Sequence, residues 1–130
     1  MKKEELTNYW IDSSEIDYKA MENLFSSKDY IWALFLGHLV IEKLLKAVAT
    51  NNNIEHIPKI HDLNKLAKIS GLEPDNSIKD LLDIITSFNL ETRYPDYKKE
   101  FYKKCDSNFT FKYLSKIKEI RLWLLNQLKK

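Results

Sequence analysis

YIWALFLGHLVIEKLLKAVA, residues Tyr30 to Ala49, decides the fold. Ile31, Trp32, Leu34, Phe35, Leu36, Leu39, Val40, Ile41, Leu44, Leu45 and Val48 leave it almost no wet face. The run shows no alternation of period two and is too long for a strand, so it predicts a helix. A helix that is apolar nearly all round is either central in its domain or shared with a second subunit. Its polar residues His38, Glu42 and Lys46 are spaced by four and share one face. Glu42 stands N-terminal to Lys46, the favourable order for an ion pair one turn apart. A charge in so apolar a setting is costly unless it is paired, which also makes Glu42 a partner for a distant cation such as Arg93. His38 reads as a satisfied core or interface histidine.

Working outward, the periodicity predicts a helix before this one, from about Glu4 to Phe25, with Tyr9, Ile16, Ala20 and Leu24 on its apolar side. Ser26-Ser27-Lys28-Asp29 forms a tight corner with Asp29 as N-cap. The polar run Asn51-Asn52-Asn53 ends the central helix. His61-Asp62-Leu63 opens a short third helix that Gly71 stops. Pro74-Asp75 starts a fourth, with Ile78, Leu81, Leu82, Ile85 and Phe88 at helical spacing. A short helix from Asp96 to Lys104 follows. The last runs from about Thr110 to Leu128, with Leu114, Ile117, Ile120, Leu124 and Leu128 on one stripe. The expected fold is all-α: an antiparallel up-and-down bundle of four main helices plus one or two short ones. With 130 residues, 44% hydrophobic, two glycines and three prolines, the chain is one domain with long helices and few corners.

The charges exclude several classes of function. The net charge of +2 is too balanced to imply DNA binding by bulk attraction. The nearly apolar run Ile31–Ile41 is too short to span a bilayer, so no membrane association is expected. The start, MKKEELTNYW, has no apolar leader core, and the single Cys105 fits a reducing compartment. A cytoplasmic protein is expected.

Arg93-Tyr94-Pro95-Asp96 is the second informative stretch. Only two arginines, Arg93 and Arg121, occur among 21 basic residues. A guanidinium grips a carboxylate or phosphate with a fork of donors that lysine lacks, and it stacks on aromatic rings such as Tyr94. Pro95 should end the preceding helix at Tyr94, and Asp96 can cap the next. Arg93 is expected beside a carboxylate, Glu42 first, then Asp96 or Asp62.

Catalytic and metal signatures are missing. Two glycines cannot build a phosphate loop or a dinucleotide fingerprint. No nucleophile elbow occurs. His56 and His61 straddle Pro58 and match no metal-ligand spacing, so neither a metal nor another cofactor is expected. His61 is expected to bond backbone or a nearby acid. Cys105 reads as an inert thiol.

Taken in order, Trp10, Asp17 and Ala20, then Tyr30 and Ala33, then Glu42, Lys43, Lys46 and Ala47, then His61-Asp62-Leu63, then Arg93-Tyr94-Pro95-Asp96 resemble the HEPN family (higher eukaryotes and prokaryotes nucleotide-binding). The likeness runs from about Tyr9 to Leu128. It implies a helical bundle, often a homodimer, that works beside a small nucleotidyltransferase in a toxin–antitoxin-like pair or binds a nucleotide. Many members are RNases carrying Arg, four to six residues, then His. No histidine follows His61 here, so that motif is absent. The resemblance therefore implies a non-catalytic homodimeric module. Arg93, Lys43 and Lys46 serve as its ligand cations, Tyr94 as a stacking surface, and Glu42, His61 and Asp96 as orienting groups. The alternatives are a metal-independent RNase with a non-standard site and a purely structural interaction domain.

Overall fold

The computed structural model describes residues 2–129, the side chains of Pro95 and Asp96 excepted. Six helices form it: α1 (Lys3–Ser26), α2 (Tyr30–Asn51), α3 (Leu63–Ile69), α4 (Asn76–Arg93), α5 (Pro95–Lys104) and α6 (Ser107–Leu128). No strand occurs among the described residues. The expected all-α bundle is the fold found.

α2 is the central post. α1, α6, α4 and α3 all pack against it, and 14 of its 22 residues are buried. That coverage comes from its own chain, which answers for most of the apolar surface that suggested a second subunit. Leu34, Val40, Ile41, Leu44 and Leu45 meet Leu82, Ile85 and Phe88 of α4 and Leu114, Ile117, Ile120 and Leu124 of α6 in one core. At Gly37 the α6 side chain of Ile117 packs directly on the α2 backbone. A Cβ there would stand 2.6 Å from Ile117 Cδ1 and 3.4 Å from Met21 Sδ.

Side-chain caps set three helix starts. Asp62, Asp75 and Asp106 accept from the backbone N–H of Lys65, Ile78 and Phe109 at 3.1, 2.9 and 2.8 Å. Gly71 adopts φ +84°, the left-handed turn that ends α3. Asp29 stands at the N-cap of α2 without a side-chain bond to its first turn; its carboxylate accepts from the Ser27 hydroxyl at 2.8 Å instead.

Two expectations are corrected. α5 begins at Pro95, with Tyr94 at the N-cap, so Asp96 sits inside the helix rather than capping it. Proline suits the first helical position because the N–H it lacks would have had no partner. α1 buries Thr7, Ser14 and Met21, while Tyr9 and Ile16 are 53% and 69% exposed. Small residues let α1 lie close to α2. Ser14 satisfies its own hydroxyl by donating to the Ile11 carbonyl at 2.7 Å, so it tolerates burial.

Candidate functional site

The polar face of α2 organises a buried cluster around Glu42, whose side chain is 6% exposed. Glu42 Oε2 accepts from Lys46 Nζ at 3.1 Å, the pairing expected from their spacing. Oε1 accepts from His61 Nδ1 at 2.8 Å, across to the start of α3. Lys46 also lies over the Trp10 ring of α1, 5.2 Å from its centroid. Both carboxylate oxygens thus carry charge-assisted or polar bonds, which is what makes the burial of Glu42 tolerable.

His38 completes the cluster. It is fully buried, and its Nε2 donates to the His61 carbonyl at 2.9 Å. Its Nδ1 has no partner. That pattern fits the neutral ring with the proton on Nε2. Burial pushes its pKa below the ordinary histidine value, opposed by the bond to the His61 carbonyl and by Glu42, and reinforced by the charges of His61 and Arg93. The histidine is a core group, as its position suggested. It also fixes the backbone from which His61 projects.

Three of the expected ligand groups are engaged inside the protein. Lys46 is bound by Glu42 and Trp10. Lys43 pairs with Asp17 of α1 at 2.7 Å, its side chain 23% exposed. Glu42 faces the core. The other described candidates are open. His61 has a side chain 51% exposed, and because Nδ1 is taken by Glu42, Nε2 is its free nitrogen. Arg93 and Tyr94 are exposed at the end of α4, with the guanidinium carbon 5.8 Å from the Tyr94 ring centroid. The side chain of Asp96 lies outside the described residues.

The expected Arg93–Glu42 pair does not form. Glu42 spends its oxygens on Lys46 and His61, and among the described residues Arg93 makes no ion pair. Asp62 is occupied as the cap of α3. The fold does bring together two histidines that are 23 residues apart in the chain, His38 and His61, with ring centroids 6.1 Å apart.

Arg121 is the arginine that ties helices together. It bonds Glu15 at 2.6 Å and stacks over Tyr18 at 4.0 Å. Sequence reasoning also passed over what Trp10 and Asp17 do: they sit seven apart on α1 and meet Lys46 and Lys43, three apart on α2. That spacing was the available signal. Cys105 is buried, and burial pushes its thiol up to about 12, the inert state expected. Among the described residues no group of three or more His, Cys, Asp or Glu is placed to hold a metal ion. No helix described is long and apolar enough to cross a membrane.

A family model described as the HEPN domain matches residues 7–127. No curated protein and no solved structure gives a significant match. With nearly its whole length matched, this chain belongs to the HEPN domain family, whose members are nucleotide-binding or RNase-type modules.

Proposed function

We propose that this protein is a non-catalytic, homodimeric nucleotide-binding module that works with a small nucleotidyltransferase in a two-component, toxin–antitoxin-like system. One observation carries the binding role: a buried carboxylate, Glu42, holds the exposed His61 by Nδ1, while Arg93 and Tyr94 stand exposed at the end of α4. Arg93 supplies a fork of donors suited to phosphate oxygens. His61 adds a nitrogen whose ring cannot swing freely. Tyr94 offers a face for a base. Lys43 and Lys46, spent on Asp17 and Glu42, act through the fold rather than on the ligand.

The test is calorimetric titration of purified protein with mononucleotides. Binding should be lost in Arg93→Ala and not restored by Arg93→Lys, since a point charge does not replace a fork. Undiminished affinity in Arg93→Ala rejects the reading. The dimer is checked by sedimentation at micromolar concentration. The partner is checked by co-purification with a nucleotidyltransferase encoded beside it.

The His61–Glu42 pair favours one second reading, a metal-independent RNase. A histidine oriented by a carboxylate is a suitable proton carrier near neutral pH. Cleavage of RNA in the presence of chelator, lost in both Arg93→Ala and His61→Ala, would establish it.

A further inference from the structure

We infer that the outer side of α5 is a binding track for single-stranded nucleic acid. The sequence of α5, PDYKKEFYKK, alternates lysines with aromatics. Phe101 turns inward and is buried. Tyr102 does the opposite and is 69% exposed, so its ring adds little to the core. Lys98, Lys99 and Lys103 surround it, and their stems form with its ring a shallow depression that no acidic residue among the described ones lines. Beside it, the Lys98 ammonium lies 5.2 Å from the centroid of Trp32, which is itself 41% exposed at the start of α2. Glu100 reaches Lys103 only loosely, at 3.7 Å with both side chains mostly exposed.

This is the chemistry of a single-strand track: lysine cations for phosphates, with exposed aromatic rings beside them for bases. A chain of nearly neutral net charge has no general attraction for a polyanion, so this concentration of cations is local. An acidic protein surface would match the lysines but would leave Tyr102 and Trp32 without a role. The choice of nucleic acid over such a partner rests on the nucleotide-binding reading. The track would take the phosphodiester strand that continues from a base held at Tyr94.

The experiment is fluorescence anisotropy of a labelled oligouridylate with the full chain, alongside titration of a mononucleotide. Three lysines on three phosphates predict a salt dependence of about −2 in log affinity against log salt, roughly 20-fold weaker binding between about 50 and 200 mM. Tyr102→Ala should weaken oligouridylate binding about tenfold, and Lys99→Glu with Lys103→Glu should abolish it. Neither should alter mononucleotide binding or the melting curve, because these side chains are exposed. Oligouridylate binding that ignores all three substitutions overturns the track. So does failure to bind oligouridylate while mononucleotide binding persists. Polyglutamate that competes as well as the oligonucleotide overturns it in favour of an acidic protein partner. Oligouridylate binding that depends on α5, with no mononucleotide binding, supports the track and rejects the nucleotide site instead.

Discussion

Glu42→Ala is the perturbation that best separates the fold-holding charges from the ligand-facing ones. Removing the carboxylate leaves the Lys46 ammonium, its side chain 13% exposed, without its counter-charge. Breaking one side of a buried pair costs about 3–5 kcal/mol. Two features reduce that figure. Lys46 keeps the Trp10 ring at 5.2 Å and can extend its head toward water. His61 loses its acceptor but is half in solvent, so water replaces the bond at small cost. The result is about 3 kcal/mol of destabilisation, or a fall in Tm of about 10 °C at this chain length. Arg93→Ala, in contrast, removes an exposed side chain with no ion pair among the described residues and should change stability by about 0.5 kcal/mol or less. Urea unfolding followed by circular dichroism measures both. The cycle completed by Lys46→Ala and the double variant should show a coupling of about 2 kcal/mol between Glu42 and Lys46. If Glu42→Ala costs under about 1 kcal/mol while Arg93→Ala costs over about 2, the assignment of roles is inverted and the reasoning fails.

Three further outcomes are expected. Because burial holds the folded-state pKa of His38 below its unfolded value of 6.5, the unfolded chain takes up a proton first as pH falls. The His38 contribution to stability is therefore complete above pH 6.5 and declines as pH drops below it, by at most about 1.4 kcal/mol per unit; a His38→Gln variant whose Tm falls as steeply between pH 6.5 and 5 as the parent's counts against this. Gly37→Ala should destabilise by about 1–3 kcal/mol, since its Cβ would meet Ile117 Cδ1 at 2.6 Å, and Ile117→Val should recover most of the loss in a thermal melt. Glu42→Leu combined with Lys46→Met should match the parent's stability to within about 1 kcal/mol, because apolar replacement of a whole buried pair is often neutral, yet it should weaken nucleotide binding through a loosened His61.

The helix order and most helix ends were legible because they rest on local chemistry. Asp62 and Asp75 stand three residues before the N–H groups they cap, and Gly71 takes a backbone conformation that other residues resist. The apolar stripe of α6 was legible because one face of it meets α2 along its length. The face of α1 was not. Its inward side is set by how closely it approaches α2, which favours Ser14 over the larger Ile16, and no periodicity of α1 alone contains that distance. The site was half legible. The Glu42–Lys46 pair follows from spacing within one helix. Which donor Glu42 takes from elsewhere is decided by the path of the loop before α3, and that path delivers His61 rather than Arg93.

The two arginines show how a rare residue type misleads when it is read by rarity alone. Arg121 does the work first supposed for Arg93: it ties two helices by an acid and an aromatic ring, with Glu15 at 2.6 Å and Tyr18 at 4.0 Å. Among the described residues Arg93 makes no ion pair, and its guanidinium lies exposed beside the Tyr94 ring. The buried cluster points to a ligand. Glu42 contributes little net stability compared with an apolar side chain of its size, because desolvation offsets most of its attraction to Lys46. What a leucine at that position would not do is hold the Nδ1 of His61. His38 works to the same end from the other side, gripping the carbonyl of the residue whose ring Glu42 grips. One exposed imidazole is thus fixed by both its backbone and its side chain. A bundle assembled only to tie helices together would gain nothing from holding a solvent-facing ring so firmly; a site that must meet a phosphate in one geometry would.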